Sequence, residues 1–213
     1  MAKISCFCGA VCVEFNADKD LFRLECCCHD CRAALWYAHV LGGPACPEHN
    51  IVDNSWLPND FVIVSGEEHI GAFLNFENGD TTRFHCAQCW TVLFGDHPAY
   101  AERILVTPAK NYREYDALSE VSLMPPQGRN FLKDLTAEEV EELPVWKGKS
   151  EHVYKGVAEN LMSNLPSIHA LGRQGEMNAQ KLLKKIGTPF VPSGVRRLID
   201  GPPTLMQQAD DGN

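Results

Sequence analysis

The stretch Glu25-Cys26-Cys27-Cys28-His29-Asp30-Cys31-Arg32 places four cysteines and a histidine within six consecutive positions. Such a density is typical of a disulfide framework, a metal centre or a reactive thiol site. Adjacent cysteines disfavour disulfides, because the Cβ vectors of neighbouring residues diverge. The pairs Cys6-Phe7-Cys8 and Cys86-Ala87-Gln88-Cys89 have the spacing of metal half-sites. The first hypothesis is therefore a zinc protein with two sites, one of them open to substrate.

The composition limits the partners that the chain can have. Its 213 residues are 45% hydrophobic, enough to bury a sizeable core, and carry a formal charge of −9. The acidic balance disfavours nucleic acid and anionic membranes and favours small molecules or proteins as partners. Neither a secretory signal nor a run of roughly 20 apolar residues is recognisable, which predicts a cytoplasmic protein. In that reducing compartment the ten cysteines are expected to hold metal or do chemistry; homo-oligomerisation is left open.

Short alternating segments predict a mainly β domain over residues 1–115. Apolar and polar residues alternate at 9–15 and 21–26, and the second of these strands ends at the cysteine cluster. Residues 31–41 are apolar, but their periodicity does not distinguish helix from strand. Residues 42–58 contain three prolines and two glycines and are predicted to form a loop, with Trp56 packing on the core. Further strands are predicted at 61–65, 70–76, 81–85, 91–95 and 104–107, with a hairpin turn at Asn78-Gly79.

Residues 116–213 are predicted to form an irregular and helical extension packed on the β domain. Thr136 and Glu139 have the spacing of a capping box, which marks the start of a helix. Residues 157–162 predict a second short helix. Residues 178–186, with an asparagine cap and Gly187 beyond the end, predict a third. Residues 207–213 are expected to be disordered.

The cysteine pairs offer ligands for two zinc ions. Cys6, Cys8, Cys86 and Cys89 would close a four-sulfur structural site. Cys26, Cys28 and Cys31 would leave a fourth position for water or a substrate thiol, which is typical of catalytic zinc. Spacing alone leaves other pairings open: Cys6 and Cys8 could join Cys28 and Cys31, and Cys27 or His29 could serve as a ligand.

Three motifs extend this interpretation. They are Cys-x-Cys-Gly-x-Val at residues 6–11, Cys-x-Cys-x-x-Cys-Arg at 26–32 and Cys-x-x-Cys-x-Thr-x-Leu-Phe at 86–94. In this order they resemble the glutathione-dependent formaldehyde-activating enzyme family, also called centromere-protein-V-like. The resemblance covers roughly the first half of the chain. The loop at 42–58 and the chain beyond Tyr115 do not match the family pattern.

The resemblance implies a mainly β, Mss4-like (β-tent) fold that holds two zinc ions. It implies a zinc-dependent carbon–sulfur lyase, similar to S-(hydroxymethyl)glutathione synthase, which joins glutathione and formaldehyde. The implied partner is a small-molecule thiol or thiol adduct, with glutathione as the candidate co-substrate. By position, the family's structural site matches Cys6, Cys8, Cys86 and Cys89, and its catalytic site matches Cys26, Cys28 and Cys31.

Two residues depart from the family pattern. Cys27 replaces the histidine usual between the first two central cysteines, and it either packs in the core or lines the active site. Trp90 replaces a glycine, which predicts a rearranged or strained knuckle. Arg32 is expected to pair with an acidic core residue rather than bind a substrate carboxylate. His29 and His39 are acid–base candidates by proximity in sequence.

A second hypothesis is a non-catalytic zinc scaffold whose extension binds a protein partner. It predicts a fully coordinated second zinc, with Cys27, His29 or a residue of the extension as the fourth ligand. The enzyme hypothesis predicts an exchangeable ligand at that position.

Overall fold

A computed structural model describes residues 1–47, 49–109, 112 and 115–191. The described chain is mainly β, with two sheets and few helices, as the alternating segments predict. The predicted disorder of residues 207–213 falls outside this part. No helix within the described ranges is long and apolar enough to cross a membrane.

The strands are β1 Ala2–Ser5, β2 Cys12–Phe15, β3 Phe22–Cys26, β4 Val52–Pro58, β5 Phe61–Ser65, β6 Ile70–Phe73, β7 Thr82–Cys86, β8 Val92–Asp96, β9 Ile104–Pro108, β10 Leu118–Ser119 and β11 Arg129–Asn130. They form one sheet of four, in the order β10-β1-β2-β5, and one of seven, in the order β11-β3-β4-β9-β8-β7-β6. The helices are α1 His29–Val40, α2 Ala137–Glu141, α3 Glu159–Leu171 and α4 Ala179–Ile186. Short 3-10 turns lie at Glu67–His69, Pro98–Tyr100, Leu132–Asp134 and Ser150–His152.

Aromatic side chains from both sheets meet in the main core. Phe15 of β2 and Phe61 of β5 lie 5.4 Å apart between ring centroids, and Phe61 lies 5.2 Å from Phe94 of β8. Phe84 of β7 stacks on Phe94 at 4.7 Å. All four rings are buried, because alternation along each strand directs every second side chain to the same face. This packing fixes the strands that carry the cysteines relative to one another.

The prediction of a loop at residues 42–58 is wrong for the second half of this segment. Residues 52–58 form β4, which pairs with β3 on one side and β9 on the other. Asn54, Ser55 and Pro58 are poor strand formers, so local propensity disfavours a strand here. The strand forms because tertiary pairing overrides propensity: Trp56 is buried, as expected, and Ser55 donates a hydrogen bond to Asp20 Oδ2 at 2.9 Å.

Helix signals in the sequence are mostly confirmed. The apolar segment at 31–41 forms most of α1. The Thr136 side chain caps α2 in a capping box with Glu139, and Asn178 caps α4. The helix predicted at 157–162 is longer than expected: α3 begins at Glu159 and continues through Pro166 to Leu171. Its buried residues Leu161, Leu165 and Ile168 pack on a second core that includes Phe22 and Trp56.

The chain beyond Tyr115 contributes a strand to each sheet. β10 pairs antiparallel with β1, and β11 pairs parallel with β3, with Asn130 opposite Cys26. Leu182 of α4 joins the main core. These late segments therefore complete sheets that the first strands begin. The division of the chain at residue 115 stays a prediction.

Candidate metal centres

Two turns bring together the first group of four cysteines. Cys6 lies in the turn after β1, and Cys86 ends β7. The Sγ atoms of Cys6, Cys8, Cys86 and Cys89 all lie within 4.8 Å of one another. The Sγ atoms of Cys6 and Cys8 are 3.5 Å apart, and those of Cys8 and Cys86 are 3.9 Å apart. A tetrahedron with zinc–sulfur bonds of about 2.3 Å has edges of about 3.8 Å, so this group has the size that such a metal ion requires.

Hydrogen-bond donors surround the sulfurs of this group. The backbone N–H of Val11 donates to Cys6 Sγ at 3.1 Å, and the Thr91 hydroxyl lies 3.1 Å from Cys89 Sγ. Burial raises the pKa of Cys89, but the Thr91 hydroxyl and backbone N–H groups outweigh it and lower the pKa to about 7. Donors of this kind stabilise thiolates, which are the form that binds metal.

Trp90 occupies the strained position predicted for the knuckle. Its φ is +51°, in the left-handed region where glycine is favoured. Its indole stacks on the His85 imidazole and meets the Tyr37 ring edge-on at 5.8 Å. Tyr37 belongs to α1, the helix that carries the second cysteine group. The indole therefore connects the knuckle of the first group to the helix of the second.

The end of β3 and the start of α1 bring together the second group. Cys26 ends the strand, Cys28 is the N-cap of the helix, and Cys31 lies in its first turn. Their Sγ atoms lie within 4.8 Å of one another. The backbone N–H of Cys31 donates to Cys28 Sγ at 3.3 Å, as in a side-chain N-cap. Both predicted groups are thus assembled, each able to bind a metal ion, and Cys6 and Cys8 do not join Cys28 and Cys31.

The three thiols of the second group differ in acidity. Hydrogen bonds from the Cys26 and Cys28 thiols, the charge of Arg83 and the Asn54 amide hold the pKa of Cys31 well below its usual value. The same contacts with Cys28 and Cys31 raise the pKa of Cys26. A cation that binds to such a group displaces the thiol protons.

Cys27, His29 and His39 stay outside this group. Cys27 is fully buried, and burial raises the pKa of its thiol to about 12. The backbone N–H of His29 donates to Asp134 Oδ2 at 3.1 Å, and His39 Nδ1 lies 3.1 Å from the Gly43 carbonyl oxygen. In the described ranges, no fourth cysteine, histidine or carboxylate joins Cys26, Cys28 and Cys31. Of the two roles considered for Cys27, its burial supports packing.

Arg32 has the structural role predicted for it. The side chain is buried, and its Nε donates to the Cys27 carbonyl at 3.1 Å. Its Nη2 donates to the Asp134 carbonyl at 2.8 Å, and its Nη1 lies 3.7 Å from Glu139 Oε1. The guanidinium thus joins the cysteine segment to the extension.

Four polar residues near the second group were missed by sequence reasoning. Asn54 of β4 donates to Cys31 Sγ at 3.6 Å. Asp30, between two cysteines of the group, pairs with the buried Arg83 and accepts a hydrogen bond from Asn75 Nδ2 at 2.6 Å. Asn54, Asn75 and Arg83 lie far from the cysteines of this group in sequence and carry no spacing signal, whereas Asp30 lies within the cysteine segment itself. The unusual run of polar residues in a buried strand is the one sign that could have indicated Asn54.

Comparison with known proteins assigns no family to this chain. No family model and no curated protein matches the sequence. A crystal structure of a Rhodobacter sphaeroides protein, solved in a structural genomics programme, is similar to this chain with 16% identity. The match covers 54% of this chain and 90% of that one, with a TM-score of 0.35. A likeness this weak carries no argument about fold or function.

Proposed function

We propose that this chain is a zinc-dependent carbon–sulfur lyase acting on a glutathione-type thiol adduct, with a Mss4-like fold and a cytoplasmic location. The activity is that of S-(hydroxymethyl)glutathione synthase or a close variant of it. In the forming direction, the thiol sulfur bonds to the carbonyl carbon of formaldehyde, and the thiol proton ends on the new hydroxyl oxygen. The reverse reaction breaks that bond and returns the proton to sulfur.

The observation that carries the proposal is the difference between the two cysteine groups. Four sulfurs in the first group satisfy a tetrahedral ion, whereas the second group offers three within the described part of the chain. A closed set of four is typical of structural zinc, and a set of three leaves a position for a reactant. A bound zinc ion there would act as a Lewis acid and lower the pKa of a thiol at that position.

The protein's own residues orient the second group. Cys26, Cys28 and Cys31 would hold the ion, and the Asn54 amide fixes Cys31 by its hydrogen bond to sulfur. The ion pair of Arg83 with Asp30 and the contact of Asp134 with the His29 N–H hold the first turn of α1 in place. A rigid shell of this kind keeps the fourth position available without letting the three sulfurs spread.

Metal analysis combined with a glutathione titration tests the proposal. The loaded protein is expected to contain two zinc ions per chain and to bind glutathione in calorimetry, whereas Cys28→Ser keeps the fold but loses binding and turnover. A cobalt-substituted sample should show one exchangeable ligand. If the second ion has four fixed protein ligands and no thiol binds, the chain is a non-catalytic scaffold, and the enzyme proposal fails.

A further inference from the structure

Asn130 of the extension lies beside the second cysteine group. β11 pairs parallel with β3, so that Arg129 is opposite Glu25 and Asn130 is opposite Cys26. Arg129 Nε donates to Glu25 Oε2 at 2.6 Å, which places these two side chains on one face of the sheet. Because side chains alternate along a strand, Asn130 and Cys26 both project from the opposite face. Adjacent strands are about 4.8 Å apart, so this register places the side chain of Asn130 beside that of Cys26.

A second amide flanks the same sulfurs from the other side. β4 pairs with β3 so that Leu24 is opposite Asn54 and Cys26 is opposite Val52. Asn54 therefore projects from the face that carries Cys26, and its Nδ2 donates to Cys31 Sγ at 3.6 Å. The cysteine group thus lies between two asparagines. One of them, Asn54, already donates a hydrogen bond to a sulfur.

The Asn130 side-chain oxygen has no hydrogen-bond partner. Asn130 is only 3% exposed, and its Oδ1 is buried without a hydrogen-bond donor in contact. Leaving such an acceptor unsatisfied is costly, so an unpaired buried amide oxygen in a folded protein requires an explanation. The backbone of Asn130 is firmly placed, because its carbonyl accepts a hydrogen bond from the Cys27 N–H at 3.0 Å. The oxygen therefore belongs to a side chain on the face of the sheet that carries Cys26, and its acceptor capacity is unused.

We propose that Asn130 Oδ1 accepts a hydrogen bond from a hydroxyl group of the substrate bound at the three-cysteine group. This inference rests on the proposed function and adds the residue that selects the adduct. A plain thiolate carries no proton to donate, whereas a hydroxyalkyl thioether or hemithioacetal carries an O–H close to its sulfur. Asn130 thereby distinguishes a hydroxyl-bearing sulfur compound from a simple alkyl thiol. The residue comes from the extension, outside the three cysteine motifs.

Two small thiols of similar size test this selection. The probes are 2-mercaptoethanol, which carries a hydroxyl, and ethanethiol, which does not, and each is titrated into the cobalt-loaded full-length protein. Binding is followed by the change in the visible absorption of the cobalt ion, which requires no turnover. The wild-type protein is expected to prefer 2-mercaptoethanol, and Asn130→Leu is expected to lose about five- to tenfold of that preference. The two thiols differ in acidity, but this difference is the same for wild type and variant and therefore cancels when their preferences are compared.

Two further variants keep the result interpretable. If the leucine variant loses cobalt, Asn130→Ala replaces it in the titration. Both substitutions keep the hydrogen bond from the Cys27 N–H to the backbone carbonyl of residue 130. Asn130→Asp retains an acceptor oxygen and should keep the preference, although its charge weakens binding of both thiols. If the preference is the same in wild type, Asn130→Leu and Asn130→Ala, the role of Asn130 is overturned while the proposed function stands. If wild type binds neither thiol, the proposed function fails first.

Discussion

The imidazole of His85 lies flat against the indole of Trp90, with ring centroids 4.1 Å apart and planes only 11° apart. Burial lowers the pKa of His85 to about 4, so the stacked imidazole is neutral at physiological pH. Gly71 leaves room for it, because a Cβ there would lie 2.6 Å from His85 Nε2. The stack holds Trp90 in a backbone conformation that a bulky residue otherwise avoids.

Two substitutions at Trp90 separate the strain from the packing. Trp90→Ala and Trp90→Gly both lose the stack on His85 and should destabilise the metal-loaded protein by about 2–3 kcal/mol. Glycine accepts the positive φ at no steric cost, so Trp90→Gly should be about 1 kcal/mol more stable than Trp90→Ala. Urea unfolding of both variants measures the difference. Equal unfolding free energies would show that the left-handed position carries no strain.

The two cysteine groups should differ in their importance for stability. Cys86→Ser breaks the group that joins the turn after β1 to the end of β7, and a loss of roughly 4 kcal/mol should lower Tm by about 10 °C or more. Cys28→Ser should remove one bound metal and change Tm by less, because Cys28 joins neighbouring segments of chain. Metal content and thermal melting are measured on the same samples. A larger drop in Tm for Cys28→Ser would reverse the assignment of structural and open sites.

The extension should stabilise the start of α1 through Asp134. Asp134→Ala removes the acceptor of the His29 N–H and should cost about 1 kcal/mol, as the loss of a helix cap does. Chelator competition should also release the metal of the second group faster. Glu141→Ala, at an exposed acidic position nearby, is the matched control and should change neither quantity. Identical behaviour of the two variants would mean that this contact contributes nothing.

Stability should depend on pH through Asp96. Burial raises the pKa of this carboxyl to about 6, and the charge of Glu102 adds to the shift. A carboxyl with a raised folded pKa favours folding below its unfolded pKa of about 3.9, and this contribution is lost as pH rises through about 6. The free energy of unfolding of Asp96→Asn, relative to that of wild type, should therefore rise by about 1 kcal/mol as the pH increases from 5 to 8, after allowance for solvent screening.

Thermal melts of Asp96→Asn and wild type at matched pH measure this gain, and the contribution of bound metal cancels in the comparison. Asparagine keeps an acceptor for Gln180 Nε2, which donates to Asp96 Oδ2 at 2.7 Å. A difference that stays constant from pH 5 to pH 8 would contradict the raised pKa.

Local patterns predict the features whose cause is local. Alternation along β2 places Val13 and Phe15 in the core, and the close spacing of the cysteines within each motif predicts that they bind metal, although spacing alone leaves open which pairs combine. The capping box of Thr136 and Glu139 likewise forms within four consecutive residues. In each case the residues that interact are also the residues that form the pattern.

Features that depend on distant contacts could not be predicted in this way. β4 contains residues that favour loops, and it is a strand because β3 and β9 pair with it from both sides. Asn130 and Asp134 meet the cysteine segment across more than a hundred residues of chain, for example 105 between His29 and Asp134. Nothing in the spacing of the cysteines identifies such partners, since their role follows from the pairing of β11 with β3.

The pairing of late strands with early ones has a consequence for synthesis on the ribosome. Asn130 follows Cys26 by 104 residues, the same separation as that between Arg129 and Glu25, so translation at about 5–20 residues per second delays β11 by roughly 5–20 s. During that interval the nascent chain displays the four cysteines of its second motif without the strand that pairs beside Cys26. The late strands therefore set when those thiols pass from exposure to oxidants and free metal into their folded surroundings.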